Sequence, residues 1–246
     1  MVKFSMATEI EARAAVSCWA CQAALGQNDH FCAACGKVQP AAPTDFFSFF
    51  GLPRKLDLDV TTLEREFYRL SRKLHPDVYA RAGAQEQQWS LEKSSQLNDA
   101  YRALKDPIER TAYLLKLEGV QLEEQSKAAT DRARQTGEEK KQAVPPDLLE
   151  EVFELNMQLE EARAAKKLGE DDPDVRRELE GHKKHFEQKL ETLSAELQGY
   201  WNEWDRAIDA GSEAERIRAR DKMVDLLNRR NYVRNLVRDV NEVLAD

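Results

Sequence analysis

Leu63-Glu64-Arg65-Glu66-Phe67-Tyr68-Arg69-Leu70-Ser71-Arg72-Lys73-Leu74-His75-Pro76-Asp77 is the stretch that decides how this chain folds. Leu63, Phe67, Leu70 and Leu74 fall at i, i+4, i+7 and i+11, one apolar stripe along a helix. Arg65, Arg69, Arg72 and Lys73 fall on another face and form a basic stripe. Pro76 cannot continue the helix, and His75 before it is pushed out of helical geometry. A helix with a positive face thus ends in a stiff turn that presents an imidazole and a carboxylate.

Working outward, a second strong helix follows a looser stretch and ends at Leu97, Ala100, Tyr101 and Leu104. Three residues such as His-Pro-Asp recur by chance, and an ordinary loop could carry them, so the flanks decide. Upstream lies Asp45-Phe46-Phe47-Ser48-Phe49-Phe50-Gly51-Leu52-Pro53, and downstream Asn98-Asp99-Ala100-Tyr101-Arg102-Ala103-Leu104-Lys105-Asp106-Pro107. Asp106-Pro107 is a good helix start, an Asp N-cap with Pro at the first position. Arg110, Tyr113, Leu114 and Leu117 continue that helix to Gly119. The whole stretch, residues 44–119, resembles the J-domain of Hsp40-type co-chaperones. The resemblance implies that His75, Pro76 and Asp77, with Arg65, Arg69, Arg72 and Lys73, engage an Hsp70-type ATPase.

The 246 residues allow one to three domains. Charged residues are plentiful, aromatics few, and Gly and Pro scarce beyond about residue 147, a profile that suits long solvent-facing helices. A formal net charge of −8 argues against nonspecific nucleic-acid binding. No stretch approaches the roughly 20 apolar residues of a membrane span. The first 17 residues carry Glu9 and Glu11 without an apolar core, unlike a secretory or organelle-targeting leader, so the expectation is a cytoplasmic protein.

All four cysteines lie together: Cys18-Trp19-Ala20-Cys21, ten residues, then Cys32-Ala33-Ala34-Cys35. Two Cys-x-x-Cys pairs supply four thiolates for a tetrahedral structural Zn²⁺. Gly36 follows the second pair, where such a turn tolerates positive φ. Two disulfides are disfavoured in a reducing compartment, and a redox Cys-x-x-Cys needs no second copy. Four thiolates close the coordination sphere, so no catalysis is expected there, and His30 is a bystander. This module spans residues 17–41, and Pro40-Ala41-Ala42-Pro43 is a stiff spacer after it.

Residues 120–146 are charged and poor in apolar side chains, a linker. Residues 147–246 read as three helices in an antiparallel bundle. The first runs from about Asp147 to Leu168. Asp172-Pro173 opens the second, whose stripe includes Leu179, Phe186, Leu193, Leu197, Trp201 and Trp204, and Asp209-Ala210-Gly211 closes it. Ser212-Glu213-Ala214-Glu215 opens the third, with a stripe through Ile217, Val224, Leu227, Leu236, Val240 and Val243. The fold class is therefore all-α: a J-domain and a three-helix bundle with a small N-terminal Cys₄ module. His182 and His185 are surface or seam residues. The first bundle helix carries two apolar stripes. Leu148, Val152, Leu155, Leu159 and Ala162 form one, and Leu149, Phe153 and Met157 form a second about 100° further round, flanked by Glu150, Glu154 and Glu161. The second stripe is either a broad core face or a docking surface.

A J-domain followed by an acidic helical bundle with this opening helix resembles the HscB family of iron–sulfur cluster co-chaperones. Residues Asp45 to Gly119 and Leu148 to Leu159 carry the likeness, and Cys18-Trp19 and Phe31-Cys32 resemble the family's zinc-bearing animal branch. The resemblance implies that the bundle's apolar and acidic face binds an IscU-type scaffold through Leu149, Phe153, Glu154, Met157 and Glu161, joined by Tyr232. It departs from the family at Glu150, where an apolar residue is frequent, and at Met157, where Glu is frequent. It further implies a non-enzymatic co-chaperone that delivers the scaffold to an HscA-like Hsp70 and stimulates its ATPase. The rival is a general J-protein for unfolded clients, which expects a Gly/Phe-rich linker or β-rich client domains; neither is present. A zinc-ribbon nucleic-acid adaptor expects basic residues around the cysteines, yet segment 17–43 has only Lys37. Whether the zinc module pairs two chains into a homodimer stays open at this level.

Overall fold

The computed structural model describes residues 16–26, 28–120, 122, 144–168 and 172–245; the expected linker falls almost wholly outside them. The chain divides into two compact units. One comprises the described residues through Arg54 with Asp59–Asp106, the other Lys55–Leu58 with the described residues from Pro107 onward.

The first unit is built on the decisive stretch. The Asp59 carboxylate accepts from Thr61 N at 3.0 Å and caps α2 (Val60–Leu74). Leu63, Leu70 and Leu74 are buried and Phe67 is half-buried, stacked on Tyr101 with ring centroids 4.1 Å apart. α2 packs on α3 (Ala84–Lys105). Asp45 caps the short α1 (Phe46–Phe49), which also lies on α3. Strands β1 (Val16–Ser17) and β2 (Ala24–Leu25) pair antiparallel within the cysteine segment.

That segment is not a separate body. Val38 is fully buried in one cluster with Phe49, Leu70, Leu74, Leu97 and Ala100, and Phe31 packs against the same cluster. Lys37 pairs with Glu86 of α3 at 3.0 Å, and Trp19 meets Trp89 edge-on at 5.5 Å between centroids. The expected module 17–41 is too small to bury a core alone and shares that of α2 and α3 in the expected J-domain 44–119.

In the second unit, α5 (Leu149–Lys167), α6 (Pro173–Ala210) and α7 (Glu213–Ala245) form the expected three-helix bundle. Gly211, at φ 65° and ψ 24°, ends α6 in the left-handed conformation that lets α7 turn back along it. Helix α4 (Pro107–Leu117) falls in this unit. It packs on α7, and its Thr111 hydroxyl accepts from Trp201 Nε1 at 2.9 Å. Both groups are buried, so each completes the other's hydrogen bonding. Leu56 docks on the same unit: the Leu56 and Asp57 amides each donate to the Asp205 carboxylate at 2.9 Å. Ile217, expected in the α7 stripe, is 38% exposed; Ala219, Met223 and Leu226 fill that end of the core instead.

Candidate functional site

The first site is the turn after α2. His75 leaves helical geometry at φ −58°, ψ 131°, as the following proline requires, and Pro76–Tyr79 forms a 3₁₀ turn. His75 Nδ1 accepts from Asp77 N at 3.3 Å. The Asp77 side chain is 90% exposed. Three hydroxyls pin the helix end from below. Ser90 Oγ and Ser94 Oγ donate to Leu74 O at 2.6 and 2.8 Å, and Tyr79 Oη donates to Lys73 O at 3.2 Å. They satisfy carbonyls that a helix terminus leaves open. None of these three stood out in the sequence, although Ser90 and Ser94, four apart, share one helix face.

Arg65, Arg69, Arg72 and Lys73 are all exposed. Arg69 is held by Glu66, with Nε 2.7 Å from Oε2, and this contact keeps the Glu66 carboxyl below its usual range. The Lys73 ammonium lies 5.7 Å from the centroid of the Phe31 ring. Arg65 and Arg72 have no ion-paired carboxylate among the described residues.

The second site is the outer face of α5. Leu148, Val152, Leu155 and Leu159 are at most 5% exposed, whereas Leu149 is 55%, Phe153 67% and Met157 58% exposed. One residue of helix rotates a side chain by about 100°, enough to carry the second stripe out of the bundle. Glu150, Glu154 and Glu161 are exposed beside it. Glu151 turns the other way, to Lys189 and His185 at 3.1 and 3.2 Å. Tyr232 does not join this face. It is 8% exposed, and burial pushes its phenol above the ordinary value. It stands four and eight residues before the buried Leu236 and Val240, so helical spacing carries it into the core stripe.

The third site is the cysteine cluster. Its four Sγ atoms lie within 4.8 Å of one another, with Cys18 to Cys35 at 3.7 Å and Cys21 to Cys32 at 3.6 Å, and could hold one metal ion. Each Cys-x-x-Cys turn closes the same way: Gln22 N donates to Cys18 O at 3.0 Å and Gly36 N to Cys32 O at 2.8 Å. Both closing residues have positive φ, 62° and 74°. Burial pushes the Cys18 thiol up, but the Cys21 and Ala20 amides and neighbouring thiols outweigh it and hold it down to about 6. His30 is no ligand: Nε2 faces Phe49 O at 2.9 Å and Nδ1 faces Lys93 Nζ at 3.3 Å.

Residues 45–113 match the DnaJ domain family. The iron-sulfur cluster co-chaperone protein HscB of Mus musculus is 32% identical over 167 residues, 66% of this chain and 65% of that protein. Its Homo sapiens counterpart is 31% identical over 60% of this chain and 58% of its own length. The co-chaperone protein HscB homolog of Bordetella petrii is 41% identical over 37% of this chain and 54% of its own. The chain thus spans just under two thirds, or less, of these relatives. The crystal structure of human HscB superposes with a TM-score of 0.57 at 22% identity, covering 92% of this chain and 98% of that one. The Vibrio cholerae chaperone HscB gives 0.51 at 26% identity over 81% and 97%. Among the described residues no helix is long and apolar enough to cross a membrane.

Proposed function

We propose that this chain, which belongs to the HscB family of J-domain co-chaperones, acts in iron–sulfur cluster assembly by bringing an IscU-type scaffold to an HscA-like Hsp70 and stimulating its ATPase. The observation that carries this reading is the presence in one chain of two presented surfaces: a pinned, solvent-facing His75-Pro76-Asp77 turn and an apolar ridge of Leu149, Phe153 and Met157 that the core leaves outside. Asp77 offers the ATPase a solvent-facing carboxylate on a pinned turn, and a charge-assisted contact of this kind is worth about 1.5–3 kcal/mol. Arg65 and Arg72 steer the approach to an acidic surface; Arg69 contributes less, since Glu66 already neutralises it. The ridge, rimmed by Glu154 and Glu161, receives the scaffold. The chain itself catalyses nothing and works in the cytoplasm.

Cys18, Cys21, Cys32 and Cys35 hold a structural Zn²⁺. Bonds of about 2.3 Å to a tetrahedral zinc put neighbouring sulfurs about 3.8 Å apart, and the two closest pairs stand at 3.7 and 3.6 Å. Disulfide sulfurs would sit about 2.05 Å apart. The ion, when bound, supplies a cross-link between the two Cys-x-x-Cys turns. The test is Hsp70 ATP turnover measured with this protein, with the scaffold, and with both. Synergistic stimulation is expected. Stimulation by the protein that unfolded peptides enhance and the scaffold does not would favour a general J-protein instead.

A further inference from the structure

The two methionines among the described residues sit at opposite extremes. Met157 on α5 is 58% exposed, whereas Met223 on α7 is fully buried. Met157 stands third in the outward ridge, one turn beyond Phe153 and two beyond Leu149. Its neighbours on the helix surface, at i−4, i−3, i+3 and i+4, are Phe153, Glu154, Glu160 and Glu161, and all four are exposed. A thioether accepts hydrogen bonds only weakly, so Met157 extends the apolar line of Phe153. The three carboxylates beside it offer acceptors only when ionised. The nearest amide is turned away: Gln158 Nε2 donates to Glu178 Oε2 at 2.8 Å, across to α6. An oxygen added to the Met157 sulfur therefore finds no donor among those side chains.

We propose that Met157 is a site of reversible sulfoxidation by peroxide, and that its sulfoxide form disables the α5 ridge for the scaffold. This rests on the docking role given to the ridge above. In the forward step the thioether sulfur gives an electron pair to one oxygen of hydrogen peroxide. The O–O bond breaks, an S–O bond forms, and the second oxygen leaves as water with both hydrogens. Sulfur is oxidised by two electrons and peroxide is reduced by the same two. A methionine sulfoxide reductase reverses the step with a dithiol: two thiols become one disulfide, and the sulfoxide oxygen leaves as water. The oxidised side chain is polar where the ridge is apolar. Once the scaffold covers it, its oxygen is taken out of water with no donor supplied by the ridge, which weakens binding by roughly tenfold. Met223 is spared because packing keeps the oxidant away from its sulfur while the chain is folded.

The test treats the full zinc-loaded chain with hydrogen peroxide and maps the added oxygen by peptide mass. An IscU-type scaffold is titrated calorimetrically before treatment, after it, and after repair by the two epimer-specific sulfoxide reductases. Met157→Leu, apolar and without sulfur, runs through the same series, each protein being compared with its own untreated form. Oxygen is expected on Met157 well before Met223. Wild-type affinity should fall about tenfold and recover on repair, while the treated and untreated forms of Met157→Leu bind alike. An equal fall in Met157→Leu would place the damage elsewhere, the cysteines included, and overturn the proposal. So would oxidation of Met223 as fast as Met157, unchanged wild-type affinity once Met157 is converted, or no recovery on repair. If the untreated wild type does not bind the scaffold at all, the docking reading itself falls and the proposal with it.

Discussion

Replacing Phe153 by alanine separates a docking ridge from a core. Phe153 is 67% exposed, so about a third of its side chain is out of water. Full burial of a phenylalanine is worth about 1.5–3 kcal/mol, so a third amounts to about 0.5–1 kcal/mol. Alanine is the better helix former by about 0.5 kcal/mol, which offsets part of the loss. The stability change is therefore under about 1 kcal/mol, a shift of at most about 4 °C for a domain of this size. The control is Phe186→Ala on α6, where the ring is fully buried. A loss of about 3–5 kcal/mol is expected there. If Phe153 anchors the scaffold, the same variant should weaken scaffold binding by about 2 kcal/mol, roughly 30-fold in Kd. Both quantities are read on one preparation, by thermal unfolding and by calorimetric titration with an IscU-type scaffold. A melting drop comparable to that of Phe186→Ala would show that Phe153 is core. Unchanged affinity would place the scaffold elsewhere.

Asp77→Asn should abolish stimulation of Hsp70 ATP turnover with circular dichroism unchanged, because the side chain is 90% exposed and supports no packing; normal stimulation would remove the role given to the turn. Metal analysis should find one zinc per chain, and chelation should unfold the cysteine segment and also lower the melting temperature of α2 and α3, since Val38 sits in their shared core; hydrogen exchange unchanged in α2 and α3 after chelation would contradict that coupling. Burial lowers the Lys93 pKa from 10.5 to about 8. A lysine lowered in the folded state is penalised fully below its folded pKa, and the penalty fades as pH rises from there towards the unfolded value. Lys93→Met should therefore stabilise the chain by on the order of 3 kcal/mol at pH 7, and the gain should shrink between about pH 8 and 10.5. Urea unfolding of both proteins at pH 7 and 10 measures the difference, and a gain independent of pH would refute the charge argument.

Local patterns in the sequence were enough for the helices, the turn and the cysteine cluster, because each depends on neighbours a few residues apart. Pro76 ends α2 by its own ring, the stripe of Leu63, Leu70 and Leu74 follows from helical period, and four cysteines in two Cys-x-x-Cys pairs come together around short turns. The two stripes of α5 were legible for the same reason, but only the burial of Leu148, Val152, Leu155 and Leu159 decided that the second faces outward. What needed tertiary structure was every question of which element lies beside which. Val38 joins the core of α2 and α3, Ser90 and Ser94 hold the last carbonyl of a helix sixteen and twenty residues back, and α4 packs on α7. Tyr232 shows the limit from the other side. The resemblance implied that it joins the scaffold-binding face, but it shares a helix face with Leu236 and Val240 and is buried with them. Lys93 and Gln39 are the furthest from prediction, since a charged or amide side chain in a polar helix or loop reads as solvated. Only packing of the cysteine segment against α1 and α3 takes those groups out of water.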